Sequence, residues 1–205
     1  MASPRALPIL LTVAFAAACG STSTAPTVSA SDDDAGARHD GSIVVDGPCL
    51  ITIDTPPILG RNHLGIGTPI AYDSNPPSSG PHYPIWAAYQ AYTTPVDPRY
   101  LVHDLEHGGV VFFYSCNDGG DCAGRAAALQ VASDSLPSDP FCSAAVRVRT
   151  VITPDPQLDV PIAAAAWGWT YRAACIDLPS LEDFARQHYG NGPELNNCSD
   201  GTNQF

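Results

Sequence analysis

The sequence contains no lysine. Its nine basic residues are all arginines, set against twenty-one acidic residues, for a formal net charge of −12. A phosphate-binding Gly-rich loop needs a lysine, so nucleotide hydrolysis of that kind is excluded. Without clustered cations the chain also lacks a surface for nucleic acid, or for an electrostatic hold on anionic lipid. The acidity itself serves solubility and designates no substrate. Methionine is confined to Met1, which removes thioether ligands and with them soft copper(I) sites. Glutamate occurs only at Glu106, Glu182 and Glu194. No Gly-x-Ser-x-Gly elbow appears, although serines and aspartates are plentiful enough for other Ser-His-Asp arrangements. There is no internal repeat.

What the chain does have begins at its N-terminus. MASPRALPILLTVAFAAAC carries one arginine, then an apolar run, then small residues leading to Cys19. The run is too short to cross a bilayer as a helix and fits residues 1–18 as an export signal. Small residues before a cysteine followed by Gly20 resemble a bacterial lipoprotein cleavage site. Cys19 is then the lipidated new N-terminus and the protein's attachment to a membrane of the cell envelope, plain secretion being the alternative. Residues 19–42 are rich in Ser, Thr, Ala, Asp and Gly. They offer nothing to a core and read as a flexible tether, with His39 a solvated linker residue.

Residues 43–205 form the expected folded domain. Six further cysteines, Cys49, Cys116, Cys122, Cys142, Cys175 and Cys198, are an even set in an exported chain and read as three disulfides among fifteen pairings. Cys116 and Cys122 are close enough to close a small loop, and either can also pair elsewhere. Oxidised sulfurs are neither metal ligands nor nucleophiles.

SIVV (42–45) and LITI (50–53) read as short strands, and the Pro/Gly-rich stretch after them as loop held against something rigid. RYLVHDLEH suits a short helix after Pro98, ended by Gly108 and Gly109, and VVFFYS a buried strand. CAGRAAALQVASDSL suits a helix stopped by Pro137, and AVRVRTVITP a half-buried strand. PIAAAAWGWTYRAAC reads as the next strand, and SLEDFARQHYG as a helix capped by Ser180. The expectation is a single α+β domain: a mainly antiparallel sheet packed with two or more helices, with long Pro/Gly-rich loops.

The chemistry concentrates in LVHDLEHGGVVFFY. His103 and His107 are four residues apart and share a helix face, where two imidazoles can ligate one metal ion. Glu106 lies on nearly the same face as a ligand, an orienting partner, or a base on metal-bound water. His82, fixed in PPSSGPHYP, is the expected third ligand, and His63 in GRNHLG a weaker candidate. Imidazoles with one carboxylate suit zinc or copper(II) best, with nickel and iron(II) also compatible, and release is expected as pH falls below about 6. A buried His-Glu pair joining loop to sheet needs no metal and is the rival account. His188 reads as an exposed surface residue of the last helix. The order His-x-x-Glu-His also occurs in inverted zinc peptidases, but there it lies inside a long helix, whereas here two glycines and a strand follow at once.

YDSNPPSSGPHYPIW, LVHDLEHGGVVFFY, AAWGWTYR and LEDFARQHYGNGPE resemble, in that order, the motifs of a bacterial family catalogued as domain of unknown function 3105. The resemblance covers about residues 55–195. It implies an exported or membrane-tethered envelope protein and brings no activity with it. By similarity it singles out His82, His103, Glu106, His107, Gly108 and Gly109. Three functions fit these readings: an envelope lipoprotein with a transition-metal site, a metal-dependent hydrolase using Glu106 as base, and a non-catalytic binding or scaffold module.

Overall fold

A computed structural model describes residues 49–143, 145–194 and 198–205. The export signal at 1–18, Cys19, the tether with His39 and the SIVV strand lie outside the described residues. The elements are β1 (Ile51–Asp54), α1 (Pro98–Glu106), β2 (Val110–Tyr114), α2 (Cys122–Asp134), β3 (Thr150–Pro154), β4 (Ile162–Ala166), β5 (Trp169–Ala173) and α3 (Leu178–His188). The strands form one sheet in the order β1-β5-β4-β2-β3. The pairings β1–β5, β5–β4 and β4–β2 are antiparallel, and β2–β3 is parallel, joined by the α2 crossover. The domain is α+β with a mainly antiparallel sheet, as its strand and helix signals imply.

Both faces of the sheet are buried, and strand alternation sorts the side chains between them. Val110, Phe112 and Tyr114 of β2, with Ile162, Ala164 and Ala166 of β4, meet Leu129 and Ala132 of α2 and Leu181, Phe184 and Ala185 of α3. Val111 and Phe113, with Ala163 and Ala165, meet Leu101 and Leu105 of α1 together with Tyr83, Ala87 and Val96 from the preceding loop. A central strand of alanines lets layers approach from both sides, which is why IAAAA is a strand despite its helical propensity. PIAAAAWGWTYRAAC is two strands, not one. Ala166 pairs with Trp169 across a tight turn at Trp167 and Gly168, the glycine at φ +76°.

AVRVRTVITP is strand only from Thr150 onward. Val146 and Val148 are buried as alternation predicts, but the pairing with β2 starts at Val110↔Thr150. Ahead of Val110 the partner chain is turning through Gly108 and Gly109, so no ladder is available. The cap of α3 is Asp177, whose carboxylate accepts from the Ser180 N–H at 3.0 Å. Ser180 lies inside the helix and its hydroxyl bonds that of Tyr171 at 2.9 Å. The six cysteines form three disulfides, Cys49–Cys175, Cys116–Cys122 and Cys142–Cys198. Their presence suits an extracellular or periplasmic compartment. Among the described residues no helix is long and apolar enough to cross a membrane.

Candidate metal centre

α1 starts where the sequence puts it. Pro98 opens the helix and Asp97 caps it by accepting the Arg99 N–H at 2.9 Å. Leu101 and Leu105 face the sheet, yet every residue from Tyr100 to Glu106 is buried, because the loop of residues 55–97 covers the helix face that turns away from the sheet. That loop is held by its own backbone. Leu64 donates to the His82 carbonyl at 2.8 Å and His82 to that of Asn62 at 3.1 Å, a parallel bridge setting His63 beside His82. Tyr83 donates to the Arg99 carbonyl at 3.0 Å, which ties the pair to α1. Gly80 takes φ +125° with Tyr72 packed on the side where a Cβ would stand, so the PPSSGPH turn needs glycine there.

The outcome is a four-residue cluster. One ligand atom from each of His63, His82, His103 and Glu106 lies within 4.8 Å of the others. The rings of His63, His82 and His103 have pairwise centroid separations of 4.9, 4.8 and 4.7 Å. Oε2 of Glu106 is 2.9 Å from Nε2 of His82 and 3.5 Å from Nε2 of His63. Two donors on one tetrahedral zinc at about 2.0–2.1 Å stand roughly 3.4 Å apart, so a coordination shell here would need the His82–Glu106 pair to open slightly and the wider pairs to close in.

The hydrogen bonds fix which nitrogen holds a lone pair. Nδ1 of His82 is 2.8 Å from the Gly80 carbonyl, and Nδ1 of His103 is 2.7 Å from the Tyr83 carbonyl. A carbonyl only accepts, so both Nδ1 atoms carry protons and each neutral ring keeps its lone pair on Nε2. This is the outer-shell pattern that orients ligating imidazoles. For His82 it has a sharper consequence: a lone pair faces the Glu106 carboxylate at 2.9 Å, an arrangement that demands a proton or a metal cation between them. Burial, and then the neighbouring His107 and His82, push the His103 imidazole down to about 3. It is therefore a neutral imidazole across the physiological range, and the acid release below about 6 expected of an ordinary imidazole site would not begin at His103.

His107 stands apart from this group. α1 ends at Glu106 and His107 caps it, its N–H still bonded to the His103 carbonyl at 3.1 Å, so the two rings share a side; what separates His107 from the four converging ligand atoms is that its Nε2 turns toward Glu194. Its ring packs 4.6 Å from that of His103 and 4.5 Å from that of Trp86. Nε2 faces Oε2 of Glu194 at 3.6 Å, and Nδ1 has no hydrogen-bond partner among the described residues. Burial pushes this imidazole down to about 4, against the pull of Glu194. His188 is half-buried, stacked on Trp169 at 4.3 Å, so it is a packing residue and not an exposed one.

The turn after the helix is clamped by residues that carry no sequence motif. Arg149 donates through Nη1 to the His107 carbonyl and through Nη2 to Asp139 at 2.6 Å, while the Tyr189 hydroxyl donates to Asp139 at 2.5 Å. Arg149 and Asp139 are both buried; against that burial the Tyr189 hydroxyl, and then each ion for the other, hold the Asp139 carboxyl below and the Arg149 guanidinium above their usual ranges. Glu194 donates its N–H to the Glu106 carbonyl at 2.9 Å, and Gly190 to that of Gly108 at 2.8 Å. A Cβ on Gly109 would lie 2.8 Å from the Asp104 carbonyl oxygen, and one on Gly192 would overlap the Glu106 carbonyl. The glycines are there because three segments meet backbone to backbone behind Glu106. Asp104, on the same helix, is fully buried and accepts only the Ala87 N–H, at 3.3 Å among the described residues; burial pushes its carboxyl well above the usual range.

No curated protein and no solved structure matches the chain. A family model does, over residues 63–201, more than half of the sequence and a span holding His63, His82, His103 and Glu106. By that match the chain belongs to the family described as "Protein of unknown function (DUF3105)".

Proposed function

We propose that this domain binds one divalent transition-metal ion, zinc or copper(II), through His63, His82, His103 and Glu106, in an exported protein anchored by lipid on Cys19. The observation that carries the metal reading is the opposition of His82 Nε2 and Glu106 Oε2 at 2.9 Å, with the His82 Nδ1 proton already donated to the Gly80 carbonyl. A cation between them turns two facing lone pairs into two bonds, and His103 and His63 complete an N3O set suited to these ions. In this arrangement Glu106 is a ligand through Oε2, whereas the hydrolase reading needs its carboxylate as a base beside the metal and not as part of the coordination set. A proton in the metal's place corresponds to the scaffold reading, and the experiment below separates the two. The disulfides support export, since they persist in oxidising compartments.

The test is elemental analysis and titration of the mature protein. The expected result is one equivalent of zinc or copper(II), lost in His82→Ala and His103→Ala, and a metal-dependent rise in melting temperature. Absence of stoichiometric metal, together with melting that is indifferent to added zinc and copper(II), would sink the metal reading in favour of the scaffold. Lipid anchoring is checked separately by fractionation: Cys19→Ala should move the protein from the membrane to the soluble fraction.

A further inference from the structure

We infer that His63 is the exchange ligand of this centre, and that the site takes up and releases a chelated divalent metal ion by stepwise ligand replacement. The inference rests on the metal reading above and adds a direction of traffic to it. The four ligating side chains are not equivalent. Those of His82, His103 and Glu106 are at most 1% exposed, whereas that of His63 is 45% exposed. His82 and His103 are each locked by an Nδ1 hydrogen bond to a backbone carbonyl. Among the described residues no hydrogen bond of that kind holds the His63 ring, whose polar contact is the 3.5 Å approach of Nε2 to Glu106.

The backbone around His63 matches this role. Gly60 at φ +92° and Gly67 at φ +90° bracket it, and neither has an atom within 4 Å of where a Cβ would stand. Three buried side chains thus form the floor, and His63, its backbone bridged to His82 but its ring free of a second hydrogen bond to the fold, is, among the described residues, the ligand on the side open to water. Release begins at His63. The bond from its Nε2 to the metal breaks, the lone pair staying on the imidazole, and a donor nitrogen or oxygen of an incoming small chelate bonds the metal at the vacated position. The metal keeps its oxidation state, and the chelate then displaces the floor ligands in turn. Uptake is the reverse, with the metal arriving on a carboxylate or amine chelate and His63 closing over it last.

The experiment loads the mature protein with zinc and mixes it with increasing excess of a chromogenic chelator, following metal release over time. Wild type is expected to release at a rate that rises with chelator and then saturates, as opening of His63 becomes limiting. His63→Gly should still bind one equivalent but release it at least tenfold faster and without saturation. Millimolar imidazole should restore slow release, because the vacated position is open to solvent. His103→Gly should bind no zinc and should not regain it with imidazole, its place being buried. His63→Gln, with thermal melting of every variant, guards against an effect of the added glycine on folding and is expected to behave as His63→Gly without imidazole rescue. Release from both His63 variants at the wild-type rate, or loss of all metal binding in both, would overturn the proposal while leaving the metal reading intact. A wild-type protein that takes up no zinc overturns the metal reading, and the exchange role with it.

Discussion

His103 shows how one side chain is prepared for its task by what surrounds it. Its Nδ1 proton is committed to the Tyr83 carbonyl and its charge is disfavoured by burial, so it offers Nε2 without competition from protons until about pH 3. The same depression has a cost in the metal-free protein. In the folded state His103 and His107 titrate at about 3 and about 4, against 6.5 for an ordinary imidazole. Below pH 6.5 the unfolded chain therefore binds protons that the folded chain refuses, and stability present above that pH is lost as pH falls toward 3. The expected loss by pH 4 is on the order of 2 to 3 kcal/mol for each residue. Urea melts of the apo-protein at pH 7 and pH 4 measure it, and His103→Gln should remove about half of the difference. If the two pH values gave equal midpoints, His103 would not be held neutral by its surroundings. Glu106→Gln keeps the shape and removes the charge; titration calorimetry should show zinc affinity reduced at least tenfold, since the one anionic ligand is gone.

At the scale of elements, the centre is made by three pieces of chain fixed on one another: α1, the zipped loop segments around His63 and His82, and the clamp of Arg149, Asp139, Tyr189 and the 190–194 segment. The first was legible in the sequence, because Pro98, the helical spacing of His103 and Glu106, and the Gly108–Gly109 stop are local signals. PPSSGPH was legible as a rigid turn that fixes His82. Two features had no local signal. Spacing of four residues does bring the His107 ring to 4.6 Å from that of His103, but it carries nothing about Glu194, toward which Nε2 turns; and the bridge His63↔His82 spans eighteen intervening positions that no local pattern connects. In AVRVRTVITP Arg149 falls on the side of the alternation opposite Val146 and Val148, yet it is buried, with its guanidinium on Asp139. Arg149→Met should cost about 3 to 5 kcal/mol, because Asp139 is left buried without its counter-ion. Gly109→Ala should cost about 1 to 3 kcal/mol by forcing the Asp104 and Arg149 carbonyls apart. Denaturant unfolding checks both. Each should also weaken zinc binding without touching a ligand, since the carbonyl of His107 and the turn behind Glu106 lose their support.

At the scale of the whole molecule, the disulfides and the metal constrain different things. Cys49–Cys175 spans 126 positions and fastens the start of β1 to the end of β5, whereas Cys116–Cys122 spans 6 and closes only the turn into α2. Loop-closure entropy assigns about 5 kcal/mol to the first and about 2 kcal/mol to the second. The serine pair replacing Cys49 and Cys175 should therefore melt well below the pair replacing Cys116 and Cys122. The four ligands sit in loop residues 60–82 and on α1, and none of them borders a cysteine in sequence. Metal binding should consequently survive loss of either bridge and add the same increment to both variants. That increment is about 2.7 kcal/mol at a free zinc concentration one hundred times the dissociation constant. Thermal melts of wild type and both serine pairs, with and without zinc, should show three different baselines raised by one common free-energy gain. A gain that vanished along with Cys49–Cys175 would mean that the sheet edge and the metal centre are coupled, contrary to a centre held by α1, its covering loop and the clamp behind Glu106.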